Sequence, residues 1–191
     1  MRRIFFYVTT ILTLAIFRLQ KVEMQDSFSS RGVPYLSNKG YMSFGRNFTI
    51  NNILIANPIG RNYKSAFVIK KNASLIIGSN VGVSGATIVC HRKVIIGNNV
   101  KLGGNVCVYD TDFHSINSSE RFDIEADQNF TIREEVTIED GVFIGAHSTI
   151  LKGVRIGKNS VIGACSLVSK DIPSNEIWGG NPARFIRKIK I

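Results

Sequence analysis

The stretch VTIEDGVFIGAHSTILKGVRIGKNSVIGACSLV, residues 136–168, decides the fold. Aliphatic residues recur in it every six positions, at Ile138, Ile144, Ile150, Ile156, Ile162 and Val168. A looser series sits two positions earlier, at Val136, Val142, Ser148, Val154, Ser160 and Ser166. A spacing of two inside each hexad is that of a short strand with one face turned inward. The Gly and Asn between hexads supply turns, many of them needing positive φ. Six is not a multiple of 3.6, so an amphipathic helix cannot carry this metre. Three hexads close one triangular coil, and coils stack as parallel strands: the fold class is all-β, a parallel β-helix.

Upstream the metre continues at Ile96, Leu102 and Val108, and one residue out of step at Ile77, Val83 and Val89. Their inner partners are Leu75, Val81, Thr87, Val94, Val100 and Val106. Four coils can be written: 77/83/89, 96/102/108, 138/144/150 and 156/162/168. Phe44 with Gly45 and Ile50 with Asn51 read as worn earlier coils, broken by the Asn57–Lys64 stretch. The chain divides into an apolar N-terminal helix (1–22), a region of worn coils (23–74), the repeat domain (75–177) with an inserted loop (109–135), and a C-terminal segment (178–191).

The 191 residues suit one domain with a substantial core. Three widely spaced cysteines, Cys90, Cys107 and Cys165, form neither a disulfide framework nor a metal knuckle; they read as repeat-packing residues in a reducing compartment. The 24 basic against 14 acidic residues give a net charge of +10, but eight acids lie between Tyr109 and Glu135. The protein is a basic body with one acidic insertion. No aromatic–basic interleaving accompanies the charge, which argues against nucleic acid.

Residues Ile4–Phe17 are apolar apart from three threonines, with Arg2 and Arg3 before them and Arg18 and Lys21 after. The run is short of the roughly 20 residues of a spanning helix, and RLQKVEMQDS offers no small-residue cleavage site. Two readings stand: a helix packed on the domain or a neighbouring subunit, or one lying on the inner leaflet of the cytoplasmic membrane with its cations on anionic head groups.

A repeat proves architecture, so function is sought in its irregularities. After the third strand, the first written coil inserts Cys90-His91-Arg92-Lys93 and the second inserts the acidic loop. Stacking places His91 beneath Asp110. Within the loop, His114 beside Asp110 and Asp112 makes a general base with a carboxylate available to orient it. After the second strand, Gly85, Gly103-Gly104, Gly145-Ala146 and Gly163-Ala164 stack into a small-residue ladder that lets a narrow ligand approach backbone N–H groups. The three histidines (His91, His114 and His147) fall at two different corners, which argues against a zinc site. No GxSxG elbow supports Ser-His-Asp hydrolysis.

The hexads, the His in an interrupting loop, and the closing run IGACSLVSKDIPSNEIWGGNPARFIRKI, with its Gly180-Asn181-Pro182-Ala183-Arg184 signature, resemble the hexapeptide-repeat O-acyltransferases. The nearest branch is that of the galactoside and maltose acetyltransferases and related capsule and O-antigen enzymes. The resemblance covers residues 75–189. It implies a left-handed β-helix (an exception to the usual parallel crossover), a homotrimer, and acetyl-CoA bound between subunits without a metal. By position His114 matches the catalytic His. Ala146 and Ala164 match residues meeting the CoA chain, Ser169 and Lys170 continue that groove, and Arg184 and Arg187 match residues near the nucleotide phosphates. The acceptor side falls on Gly85, His91, Asp110 and Asp112. There the sequence departs: Gly85 stands where relatives carry an Asn, Cys90-His91 where they carry acids, and Phe143 replaces a common Trp. The implied reaction is acetyl transfer to a sugar or glycan hydroxyl. Transfer to an amine and a non-enzymatic binding module are the alternatives.

Overall fold

The computed structural model describes residues 2–58 and 64–190. The chain opens with helix α1 (Arg2–Leu19) and then winds through six triangular coils. The first coil is β1 (Glu23–Met24), β2 (Phe28–Arg31) and β3 (Tyr35–Asn38); the second is β4 (Tyr41–Phe44), β5 (Phe48–Asn51) and β6 (Ala66–Ile69). The third is β7 (Ser74–Ile77), β8 (Gly82–Ser84) and β9 (Thr87–Cys90); the fourth is β10 (Lys93–Ile96), β11 (Lys101–Leu102) and β12 (Cys107–Tyr109). The acidic loop follows with two short helices, α2 (Ser118–Arg121) and α3 (Ile124–Phe130). The fifth coil is β13 (Val136–Ile138), β14 (Phe143–Ile144) and β15 (Thr149–Ile150); the sixth is β16 (Arg155–Ile156), β17 (Val161–Ile162) and β18 (Leu167–Val168). A hairpin of β19 (Glu176–Gly179) and β20 (Arg184–Lys188) closes the last coil, β19 pairing in parallel with β17.

Every third strand pairs in parallel, giving three sheets, one for each side of the triangle. Side chains alternate as the period of two requires: Leu75 and Ile77 point inward while Ser74 and Ile76 point out. The inward column Ile77, Ile96, Ile138 and Ile156 stacks one residue per coil, each fully or nearly fully buried. Each such side chain contributes about 1.5–3 kcal/mol of transfer free energy. At the first corner, between the first and second sheets, Asn80, Asn99 and Asn159 hold φ near +60°. Their side chains hydrogen-bond along the axis: Asn80 Nδ2 donates to Asn99 Oδ1 (3.0 Å) and Asn159 Nδ2 to Asn175 Oδ1 (3.0 Å).

The third coil departs from the hexad count. Val89 faces outward, and Ile88 and Cys90 are the buried pair, because Ile88 rather than Val89 lies in register with Val108. The turn after β8 is one residue short, with Gly85 at φ +58°, and the following corner absorbs two extra residues instead of one. Ala86 therefore takes the buried place assigned to Thr87. Of the cysteines, Cys90 alone is buried; Cys107 lies on the outer face of β12 and Cys165 is exposed in a turn, so those two do not pack the core. The break placed at Asn57–Lys64 falls at the second corner of the second coil, and residues 59–63 lie outside the described residues.

Aromatic rings close the N-terminal end. Phe17 of α1 stacks on Phe28 and Phe44 (centroids 5.4 and 5.7 Å), and Phe44 on Phe48 (4.8 Å). The rest of α1 is oriented against ordinary amphipathic logic. Thr9 and Thr13 are buried; Thr9 Oγ1 donates to the Ser30 carbonyl (2.7 Å) and accepts from the Gly32 N–H (3.2 Å). Ile4, Tyr7, Val8, Ile11, Leu12 and Leu19 are left exposed.

Candidate active site

The third corner, between the third and first sheets, gathers the chemistry. Asp110, at the end of β12, is fully buried, and its two oxygens accept the backbone N–H groups of His91, Arg92 and Lys93, each at 2.7 Å. The corner of the third coil is thus tied under the root of the loop. This arrangement consumes the carboxylate that sequence reasoning assigned to substrate or to the histidine: Asp110 is a structural brace. Asp112 is likewise engaged, pairing with Lys152 Nζ at 3.0 Å. Neither orients His114.

The orienting group is Asp127. Its Oδ2 lies 2.7 Å from His114 Nδ1, and its Oδ1 accepts the Ser115 N–H at 2.7 Å. These bonds hold the Asp127 carboxyl below its ordinary range, the one to His114 contributing most. Nδ1 is thereby occupied, leaving Nε2 of a largely exposed ring (69% side-chain exposure) for a proton transfer. Asp127 sits on α3, 13 residues beyond His114, so sequence proximity pointed to the wrong acids. The available signal was helix capping. Asn117 caps α2, and Asp123 caps α3 by accepting the Ala126 N–H (2.7 Å), which together fold the loop back on itself. Arg121 Nη1 ties the same turn by donating to the carbonyls of Ser115 (2.7 Å) and Ile116 (2.8 Å).

His114 and Asp127 border a cavity of about 780 Å³ whose walls also include His91, Phe113, Lys70 and Arg133. Phe113 packs edge-on against the rings of His91 (5.9 Å) and Tyr109 (5.1 Å). Burial holds His91 below the usual imidazole range; Asp110 raises it, and the charges of Lys70 and Arg133 lower it further.

The small-residue ladder lies at the second corner. Gly145 is dictated by stacking, since a Cβ there would lie 2.5 Å from the Ala164 nitrogen. Ala146 is half-buried and Ala164 exposed, and among the described residues neither N–H has a backbone or side-chain acceptor. Gly85 stands on this corner too, away from His114. Ala164 and Ser169 flank β18 at opposite ends, and the Ala183 N–H donates to the Leu167 carbonyl (2.8 Å), so the chain entering β20 bonds to β18 while β20 itself extends the second sheet through β19. Lys170, Arg184 and Arg187 are exposed and form no ion pair among the described residues. This edge suits an extended, phosphate-bearing ligand. The ladder and His114 stand at different corners, so one chain does not bring them together. His91 and His114 share a cavity, whereas His147 contacts Asn105 at the second corner (3.1 Å). Among the described residues no group of three or more His, Cys, Asp or Glu could hold a metal.

Burial, reinforced by Asp110, pushes the Cys90 thiol well above its ordinary value, so it is no nucleophile at neutral pH.

The bacterial transferase hexapeptide (six repeats) family matches residues 135–170. A galactoside O-acetyltransferase of Lactococcus lactis is 36% identical over 154 residues, covering 81% of this chain and 66% of its own length. The chain belongs to the hexapeptide-repeat family. Its fold is the family's left-handed parallel β-helix. A galactoside acetyltransferase solved with coenzyme A matches at TM-score 0.52 and 29% identity, covering 88% of this chain and 64% of that one. An N-acyltransferase of Bacillus cereus, solved with dTDP and 3-hydroxybutyryl-CoA, matches at TM-score 0.73 over 93% and 88% of the two chains, but at 18% identity it speaks to fold alone. The chain thus spans about two thirds of the length of these galactoside acetyltransferases.

Proposed function

We propose that this protein moves an acetyl group from acetyl-CoA to a hydroxyl of a sugar or glycan intermediate, with His114 as general base. The observation that carries the reading is the His114–Asp127 pair at the mouth of the cavity, Nδ1 fixed at 2.7 Å and Nε2 free. An alcohol needs its proton removed as it attacks, and an oriented imidazole serves that need. The galactoside O-acetyltransferase relative supports a sugar hydroxyl as acceptor, and the CoA-bound structure supports the donor.

Acetyl-CoA supplies the acyl group as its thioester. His114 Nε2 takes the hydroxyl proton while the oxygen bonds to the carbonyl carbon, and it returns that proton to the departing thiolate. Ala146, with an uncommitted N–H, donates to the carbonyl oxygen as charge gathers there. Lys170, Arg184 and Arg187 take the phosphates. Because the ladder and His114 occupy different corners, the second corner of a neighbouring copy supplies Ala146 and Ala164 to the His114 of the next, in a homotrimer.

We also read α1 as a surface anchor at the inner face of the cytoplasmic membrane. Ile4, Phe5, Tyr7, Val8, Ile11, Leu12 and Leu19 are exposed on it, Arg2, Arg3, Arg18 and Lys21 stand near them, and residues 1–22 contain no acid. That combination complements an anionic bilayer. No helix among the described residues is long and apolar enough to cross a membrane.

The test is acetyl-CoA-dependent acetylation of a glycoside. The His114→Ala variant should lose about 10²–10⁴-fold in kcat while calorimetry shows CoA affinity within twofold of the parent. Undiminished turnover would sink the assignment.

A further inference from the structure

We propose that the cavity beside His114 selects an anionic acceptor, a sugar carrying a carboxylate or a phosphate next to the hydroxyl that is acetylated. This rests on the acetyl-transfer reading and names its substrate class.

The cavity's charge is lopsided. Lys70 and Lys71 enter from the third corner of the second coil, and Arg121 and Arg133 from the loop. Among the described residues Asp127 is the one carboxylate on the wall, and both its oxygens are committed, one to His114 and one to the Ser115 N–H. Four cations thus line a space in which the described residues supply no free anion. Lys70 and Lys71 are exposed, and neither forms an ion pair among the described residues.

The arginines are held in place. Arg133 donates to the carbonyls of Thr131 (3.1 Å) and Gln128 (2.7 Å), and Arg121 to those of Ser115 and Ile116. Carbonyl partners orient a guanidinium without neutralising it, so the charge stays available to a ligand. Lys70 and Arg133 both act on His91, on the same wall, which places the fields of the corner and of the loop at one point. The loop as a whole is acidic, yet Glu120, Asp123, Glu125, Glu134 and Glu135 are not among the lining residues. Apart from Asp127, the loop's acids stand off the wall that its two arginines line.

A neutral hexose would leave these cations unmatched. A carboxylate or phosphate would be met by charge-assisted hydrogen bonds and, in a concave low-dielectric site, by a focused field. The cavity's volume lies within the range of small-molecule sites.

The experiment compares methyl glucoside, methyl glucuronide and glucose 6-phosphate in two assays: acetyl transfer from acetyl-CoA, and binding to the CoA-saturated protein by calorimetry at low ionic strength. The expected result is at least tenfold tighter binding and higher kcat/KM for one or both charged sugars. The carboxylate and phosphate arms show which anion is preferred. The advantage should shrink with added salt. In Lys70→Gln/Lys71→Gln and in Arg133→Gln it should fall severalfold through KM, with kcat less affected. Equal or better binding of the neutral glycoside, binding of no sugar at all, or an anionic preference untouched by these variants overturns the proposal. Selective anion binding without acetylation of any sugar would overturn the acetyl-transfer reading and leave the anionic site standing.

Discussion

At the scale of single residues, the site turns on which carboxylate meets His114. Asp110 and Asp112 are the acids nearest in sequence, and both are spent on structure, one under three backbone N–H groups and one on Lys152. Asp127 occupies the imidazole and the backbone amide after it together, fixing ring and main chain with one side chain. Replacing Asp127 by Asn keeps the volume but lets the amide donate to Nδ1, which would move the ring proton to Nε2, the atom that must accept. The expected loss in kcat is about 10²–10⁴-fold, with KM for acetyl-CoA nearly unchanged; a fall below threefold would show that the pair does not set the tautomer. The pairing also has a pH sense. A depressed carboxyl contributes above its unfolded value near 4 and stops contributing as the pH falls through its lower folded value, so the Asp127 bonds to the loop are lost on the acid side and remain at neutrality. The histidine was legible in the sequence because it interrupts a metre. Its partner was not, because the contact depends on two short helices whose only signals are their caps.

Elements repeat the lesson. The strands were legible wherever the turns between them kept the six-residue count, even where two aliphatic residues adjoin, as at Ile76-Ile77 and Ile95-Ile96. They were misread by one position in the third coil, where Ile88 and Val89 stand side by side and either satisfies the pattern. A slip of one flips every side chain across the sheet, so that error also misplaced Thr87. Helix α1 was legible in length but not in orientation. Hydropathy alone would bury its aliphatic residues; in the fold its threonines answer the polar edge of β2, at Ser30 and Gly32, and that satisfies backbone groups a leucine could not. The exposed stripe then asks for a surface. If α1 lies on an anionic bilayer, the protein should co-sediment with phosphatidylglycerol-containing vesicles and much less with phosphatidylcholine, release should increase with salt, and Ile11→Glu/Leu12→Glu should abolish sedimentation. Those residues are half-exposed, so the fold should tolerate the change, as circular dichroism can check. Equal retention on neutral vesicles, or none on anionic ones, would refute the anchor.

For the whole molecule, the proposed reaction and the triangular cross-section together call for assembly. His114 leaves the corner between the third and first sheets; Ala146 and Ala164 stand at the corner between the second and third. Rigid stacked coils cannot fold one corner onto another, so a reaction needing both must draw them from different copies. The basic surplus has a matching distribution, with cations at α1, at the C-terminal segment and on the cavity wall, while most acids of the loop lie outside that wall. A site shared across an interface has a sharp consequence. His114→Ala has a sound second corner and no base; Ala146→Trp has a sound base and a blocked corner. Each alone should be inactive. In a closed trimer with three equivalent interfaces, random mixing of equal amounts gives each interface the productive pairing about one time in four. Subunits dissociated and reassembled together should therefore recover roughly a quarter of the parental activity, whereas separately reassembled variants combined afterwards recover none. Failure of the mixed assembly to regain activity, with trimers verified by sedimentation, would mean that His114 and Ala146 do not serve one site across an interface.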